Sequence, residues 1–302
     1  MEFDVVCLGC CAWDLLVVVE EFPRSDSKIE ALKLFQQGGG PAATAAVTLA
    51  RLGAKVALIG KVGDDHWGQQ ILDGLIEEDV GTRGLIVEHG RSSPLSFVTV
   101  ERDTGKRTIV HRRGAVSPLT EADLNADLLL SGKILLIDGL HPQAALSASK
   151  MARDKSIQVL LDTGAFKPHV PDLLALANVV IAPEYFVAEY GSGKYPAQVA
   201  QDLLNLGPKI VVITQGERGG LCFTKDEQFS YPGFEVNVVD TTGAGDVFHG
   251  AFAFGLLKEW NLKKTATFAS AVAALKCTSL GGRTGIPSLQ EALDFLRKRS
   301  ML

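Results

Sequence analysis

The chain has 302 residues, 46% of them hydrophobic and 22% charged, a composition that excludes disorder and allows a large core. Its formal net charge of −5 opposes tight non-specific binding to nucleic acid, which rests on neutralising phosphates with Lys and Arg, and favours a small-molecule partner. No apolar run reaches the roughly 18 residues of a membrane span, and Met-Glu-Phe-Asp at the start has no basic stretch leading into an apolar one, so a cytoplasmic protein is expected.

The first apolar run, Val5 to Leu8, reads as a strand buried on both faces. It leads into Cys7-Leu-Gly-Cys10-Cys11, which formally contains a C-x-x-C spacing. In a strand, residues three apart point to opposite faces, so these thiols read as buried and structural rather than as metal ligands. Further buried strands are expected at Val56–Ile59, Ile134–Ile137, Val159–Leu161, Val179–Ile181 and Ile210–Ile213. Between them Ala42–Leu52, Trp67–Glu78, Gln143–Arg153 and Ala197–Leu206 carry apolar residues at helical spacing. Alternating β and α segments predict an α/β fold with a doubly wound, mostly parallel sheet flanked by helices.

Two stretches, about 13–35 and 95–112, alternate apolar and polar residues in part. They predict a small antiparallel β sheet, with Asp103-Thr-Gly105 as a hairpin turn, and either a lid over the site or an edge extension. A strand is expected at Glu235–Val239, followed by helices over Asp246–Trp260, Lys263–Thr278 and Ser288–Arg299. No repeat or linker breaks the chain, so 1–302 reads as a single domain.

The sharpest signal is Asp240-Thr-Thr-Gly-Ala-Gly-Asp246, where a strand-like run passes through a glycine-bearing turn into a helix. Such a turn points backbone N–H groups and the positive end of a helix dipole at one place, which suits an anion. Gly243 and Gly245 remove side-chain bulk so that a phosphate can approach the backbone. Asp246 could then accept the proton of an alcohol that attacks a phosphate, or merely cap the helix. The turn is neither a Walker A loop nor a dinucleotide-binding G-x-G-x-x-G.

This segment resembles the C-terminal signature of the ribokinase, or phosphofructokinase-B, family. Gly38-Gly-Gly-Pro-Ala-Ala-Thr44 with Ala50-Arg-Leu-Gly53, then Gly60 to Asp65, and Thr214-Gln-Gly216-Glu-Arg-Gly219 extend the resemblance over essentially the whole chain. Gly38–Val47, Val238–Gly250 and Ala273–Pro287 are most similar to the family's sulfofructose kinase branch.

The resemblance implies a ribokinase-like fold and an ATP- and magnesium-dependent kinase for a primary hydroxyl of a sugar or sugar acid, a ketohexose or sulfosugar among them. It implies Asp246 as catalytic base and the amides of Gly243, Ala244 and Gly245 as anion hole. Substrate contacts are implied at Asp14, Gly39, Gly40 and Thr44, the last standing where many members have an Asn. Lys28, Arg107, His111, Arg112 and Arg113 could face an anionic group, whereas Leu140 stands where that branch has an arginine. Thr214, Gly216, Gly219, Ala274 and Gly281 are implied on the nucleotide side, with Glu184 near the family's magnesium-linked motif. A potassium ion at Asp240 and Thr242 fits some members, and a homodimer through the lid is expected. A nucleoside kinase of the same fold, or a sensing protein without turnover, stays open as an alternative.

Overall fold

Residues 2–301 are described by a computed structural model. Runs of β-branched and aliphatic residues form β1 (Val5–Leu8) and β2 (Ala12–Val19), β3 (Lys33–Gly39) pairs with β2, and Pro at the first helical position opens α1 (Pro41–Arg51). Then follow β4 (Val56–Gly63), α2 (His66–Glu77), β5 (Gly81–Glu88), β6 (Leu95–Glu101), β7 (Arg107–Arg112), α3 (Ala126–Leu129), β8 (Ile134–Ile137), α4 (Pro142–Asp154) and β9 (Gln158–Asp162). The chain continues through α5 (Val170–Leu174), β10 (Val179–Pro183), α6 (Glu184–Gly191), α7 (Pro196–Leu206), β11 (Ile210–Thr214), β12 (Gly220–Phe223) and β13 (Gln228–Tyr231). Three helices close it: α8 (Ala244–Leu257), α9 (Leu262–Lys276) and α10 (Leu289–Arg297).

Nine strands form one sheet in the order β13-β12-β11-β10-β9-β8-β1-β4-β5. Pairing is parallel from β11 to β5, while the β11–β12 and β12–β13 pairs are antiparallel, so among the described strands β12 alone is reversed. Parallel strands need crossover helices, and those helices cover both faces. Strand alternation accordingly splits the core: Val5 and Cys7 pack with α1, α8 and α9, while Val6 and Leu8 pack with α4 and α7. The five cysteines are buried and free, as the strand geometry implied. Among the described residues no helix is long and apolar enough to cross a membrane.

The chain runs from β1 outward to β4 and β5, then returns on the other side of β1 to form β8. A crevice therefore opens at the carboxyl ends of β1 and β8, where open α/β sheets place their ligands.

The second sheet has the order β3-β2-β6-β7. Its hairpins β2–β3 and β6–β7 are antiparallel, as the expected small antiparallel sheet requires, and the central β2–β6 pair that joins them is parallel, which refines that expectation. Between β3 and β6 the chain passes through the main sheet, so β6 arrives as a crossover and not as a hairpin partner. The expected strand at Glu235–Val239 is corrected. The amides of Val239 and Asp240 donate to the Cys277 carbonyl at 2.8 and 3.2 Å, so the end of α9 takes the bonds that a neighbouring strand would have made. β5 and the β12–β13 hairpin were not anticipated. Glycines at 81 and 84 dilute the apolar pattern of β5, and β13 is only four residues, Gln-Phe-Ser-Tyr, with no apolar run.

Candidate active site

The Asp240–Asp246 turn leads into α8 with Gly243 at the N-cap in the left-handed region, φ 73°. A side chain would be strained there. Around Gly245 the space that a Cβ would take is open, so an anion can reach the backbone. Of the expected trio of amides, the Ala244 N–H donates to the Thr241 carbonyl at 3.3 Å, while Gly243 and Gly245 have no backbone acceptor among the described contacts. Asp246 follows one residue later, in the first turn of α8. Burial first, and then the neighbouring Asp162 carboxylate, push its carboxyl up to about 8; Arg107 pulls the other way.

Two carboxylates that the sequence reading left out flank Asp246. Asp138 and Asp162 stand at the carboxyl ends of β8 and β9, directly after apolar strand runs, and that position was the signal that could have found them. Asp138 accepts from the amides of Cys10 at 2.6 Å, Leu140 at 2.9 Å and Ala42 at 3.4 Å, tying β1, β8 and α1 together. Its carboxyl is pushed up to about 6 by burial, with those amides opposing. Gly9 is required here, since a Cβ would run into the Asp138 carboxylate.

Asp162, Asp246 and His249 present ligand atoms all within 4.8 Å of one another. The His249 Nδ1–H donates to the Gly245 carbonyl at 2.5 Å, which leaves Nε2 buried, without a hydrogen bond, and 3.4 Å from Asp162 Oδ1. That bond orients one peptide of the anion-holding turn.

On the substrate side, strand alternation sorts the candidates. Asp14 is in register with Gln37 and Ser96, and Ser96 with His111, so these share one lid face. Asp14 is 6% exposed, and its carboxyl is raised by burial against the Ser96 hydroxyl and Arg283. Gly39 lies directly under it, because a Cβ there would strike the Asp14 carboxylate. Gly40 turns the chain into α1 with φ 90°, and its missing side chain lets the Cys10 backbone approach. Thr44 is buried in the first turns of α1.

Arg112, one residue beyond His111, lies on the opposite face of the small sheet, with its guanidinium 3.3 Å from Ser92 Oγ. Lys28 stays exposed in the β2–β3 connection. Arg283, which the sequence reading gave no role, is 5% exposed and donates to the Gly39 carbonyl at 2.9 Å, backing the substrate floor; burial lowers it to about 10.

On the nucleotide side, Thr214 ends β11, and the Gln215 amide closes onto Gly219 at 2.8 Å. Gly216 has φ 60° with open space around it, and a Cβ at Gly219 would strike the Tyr231 carbonyl. Glu184, at the start of α6, joins this turn by accepting from Gln215 Nε2 and Arg218 Nη2. Ala274 lies on α9, partly buried. The Gly281 amide donates to Asp240 at 2.8 Å.

The other Asp240 oxygen accepts from the Thr242 amide and hydroxyl at 2.8 and 2.7 Å, and Lys276 Nζ donates to the Asp240 carbonyl at 2.8 Å. Lys276 is fully buried, and its Nζ takes up the Asp240 carbonyl at the turn where the resemblance implied potassium. Finally, Arg107 crosses from the lid to the turn, donating to Thr241 Oγ1 at 2.7 Å.

Amides open to an anion, a raised carboxyl beside them and a lid arginine overhead define an α/β phosphotransferase acting on an alcohol. Residues 2–289 match the pfkB family carbohydrate kinase, and the chain belongs to that family. Ribokinase of Bacillus subtilis is 30% identical over 294 residues, covering 97% of this chain and 99% of its own. Fructokinase-2 of Oryza sativa is 30% identical over 287 residues, covering 86% of this chain and 85% of its own. Among solved structures, ribokinase from Thermotoga maritima superposes with a TM-score of 0.86 at 26% identity, over 98% of this chain and 99% of that one.

Proposed function

We propose that this protein transfers the γ-phosphate of ATP to a primary hydroxyl of a sugar or sugar acid. The observation that carries the reading is Asp246 placed beside an anion-holding turn whose Gly245 faces open space. Asp246 takes the hydroxyl proton, and the resulting alkoxide oxygen bonds to the γ-phosphorus. The bond from that phosphorus to the bridging oxygen breaks, and ADP leaves. The amides of Gly243 and Gly245, with Arg107, meet charge on the transferring phosphoryl group.

Magnesium, when bound with the nucleotide, neutralises phosphate charge. Two carboxylates and an imidazole nitrogen are a poor inner shell for this oxygen-preferring ion, so Asp162 fits as an acceptor for its water shell and Asp246 stays free to serve as base. The substrate floor is Asp14, Gly39, Gly40 and Arg283, and the nucleotide side is Thr214, Gly216, Gly219, Glu184, Ala274 and Gly281. A homodimer through the lid belongs to the same proposal, supported by the apolar outer lid face of Leu34, Phe97 and Val110. Five free buried cysteines suit a cytoplasmic setting.

Asp246→Asn is the direct test. ADP release with the substrate present is expected to fall about 100- to 10,000-fold while calorimetric sugar binding stays within a few-fold. Turnover within tenfold of the unaltered protein would remove Asp246 from the mechanism.

A further inference from the structure

At the crevice between the ends of β1 and β8 lies a cavity of about 290 Å³. It borders the substrate floor: Cys10 and Cys11, part of its wall, back onto Gly40, and the Cys10 N–H donates to Asp138 at 2.6 Å. The rest of its polar wall is one-sided. Lys61, His111, Arg113, His141 and Lys167 line it, and no carboxylate does.

Lys61 is held at 3.1 Å by both Ser117 and Asp123, so its charge is partly compensated. Arg113 and Lys167 make no ion pair among the described residues. The Leu119 N–H donates to His141 Nδ1 at 3.1 Å, which places the imidazole proton on Nε2 and makes the free edge a donor. Burial, with Lys61 and Arg113, holds His141 down at about 4, so it stays a neutral donor at physiological pH.

A sugar hydroxyl both donates and accepts, and is best met by a mixed wall. Lys, Arg and the His141 Nε2–H offer donors alone. The group that such a wall fits is an acceptor with negative charge. We propose that the molecule phosphorylated at Asp246 is anionic, its carboxylate, phosphate or sulfonate seated against Arg113 and Lys167 in this cavity. The inference rests on the phosphotransferase reading above and narrows its substrate class.

The test uses matched pairs: fructose against fructose 6-phosphate and 6-deoxy-6-sulfofructose, and glucitol against gluconate. Binding is read by calorimetry and turnover by ADP release. At least one anionic member is expected to bind about 10- to 100-fold tighter than its neutral parent, the worth of charge-assisted hydrogen bonds. In Arg113→Gln and Lys167→Gln that advantage should collapse, and Arg113→Lys should recover most of it. The head group giving the larger advantage distinguishes carboxylate from phosphate and sulfonate. Equal binding within each pair, tighter binding of the neutral members, or an advantage untouched by both Gln variants overturns the inference and leaves the kinase standing. An anionic preference lost in the variants, but with no ADP formed from any member, supports the anion site and counts against the phosphotransferase reading.

Discussion

Asp246 holds its proton up to about pH 8 in the ligand-free protein, because burial and Asp162 both disfavour its ionised form. A base must first lose that proton. We therefore expect kcat/KM to rise with pH and level off above about 8. Stability should show the opposite trend. A carboxyl raised above its unfolded value of about 3.9 favours the folded state fully below that value and loses the benefit as pH climbs toward its folded value. Asp246→Asn should thus melt higher than the parent from about pH 4 upward, with the gap growing until about pH 8. Melting curves across that range check it, and equal pH slopes for the two proteins would contradict the raised carboxyl.

At the scale of elements, the β6–β7 hairpin acts as a clasp on the phosphate turn. Its tip, Gly105 with φ 62°, lies so close to Val238 and Val239 that a Cβ would sit 2.9 Å from Val238. Arg107 then bonds Thr241 and favours ionised Asp246. The hairpin contact therefore holds one cation at the turn where the proposed reaction develops negative charge. Arg107→Gln should lower kcat at least about tenfold and move the pH midpoint of kcat/KM upward. Its melting temperature should barely change, because an exposed hydrogen bond contributes little to stability. An unshifted pH profile would reduce Arg107 to a structural contact.

For the whole molecule, the two lid faces differ in use. Leu16, Val98 and Val100 form a small buried core on the inner side. On the outer side Leu34, Phe97 and Val110 are 74%, 50% and 65% exposed, and the half-buried Leu15 and Val17 of β2 lie between Leu34 and Phe97 to complete an apolar patch. Such a patch commonly marks an interface, and a second lid is self-complementary to it. Light scattering should give twice the chain mass, and Phe97→Asp with Val110→Asp should give a single chain mass. A monomer before mutation would reject the dimer.

What the sequence by itself determined was local: the buried parallel strands, whose apolar runs carry their own signature, and the Asp240–Asp246 turn, whose glycines and acid lie within seven residues. Tertiary structure alone decided what depends on strands meeting. It paired β2 with β6 in parallel and turned Arg112 away while keeping His111 on the Asp14 face. It brought Asp138 and Asp162 up beside Asp246, set Arg283 behind Gly39, and gathered Lys61, Arg113, His141 and Lys167 around one cavity. The physical reason is separation along the chain: these groups lie tens to hundreds of residues apart, and only the register of the sheet fixes which of them share a face.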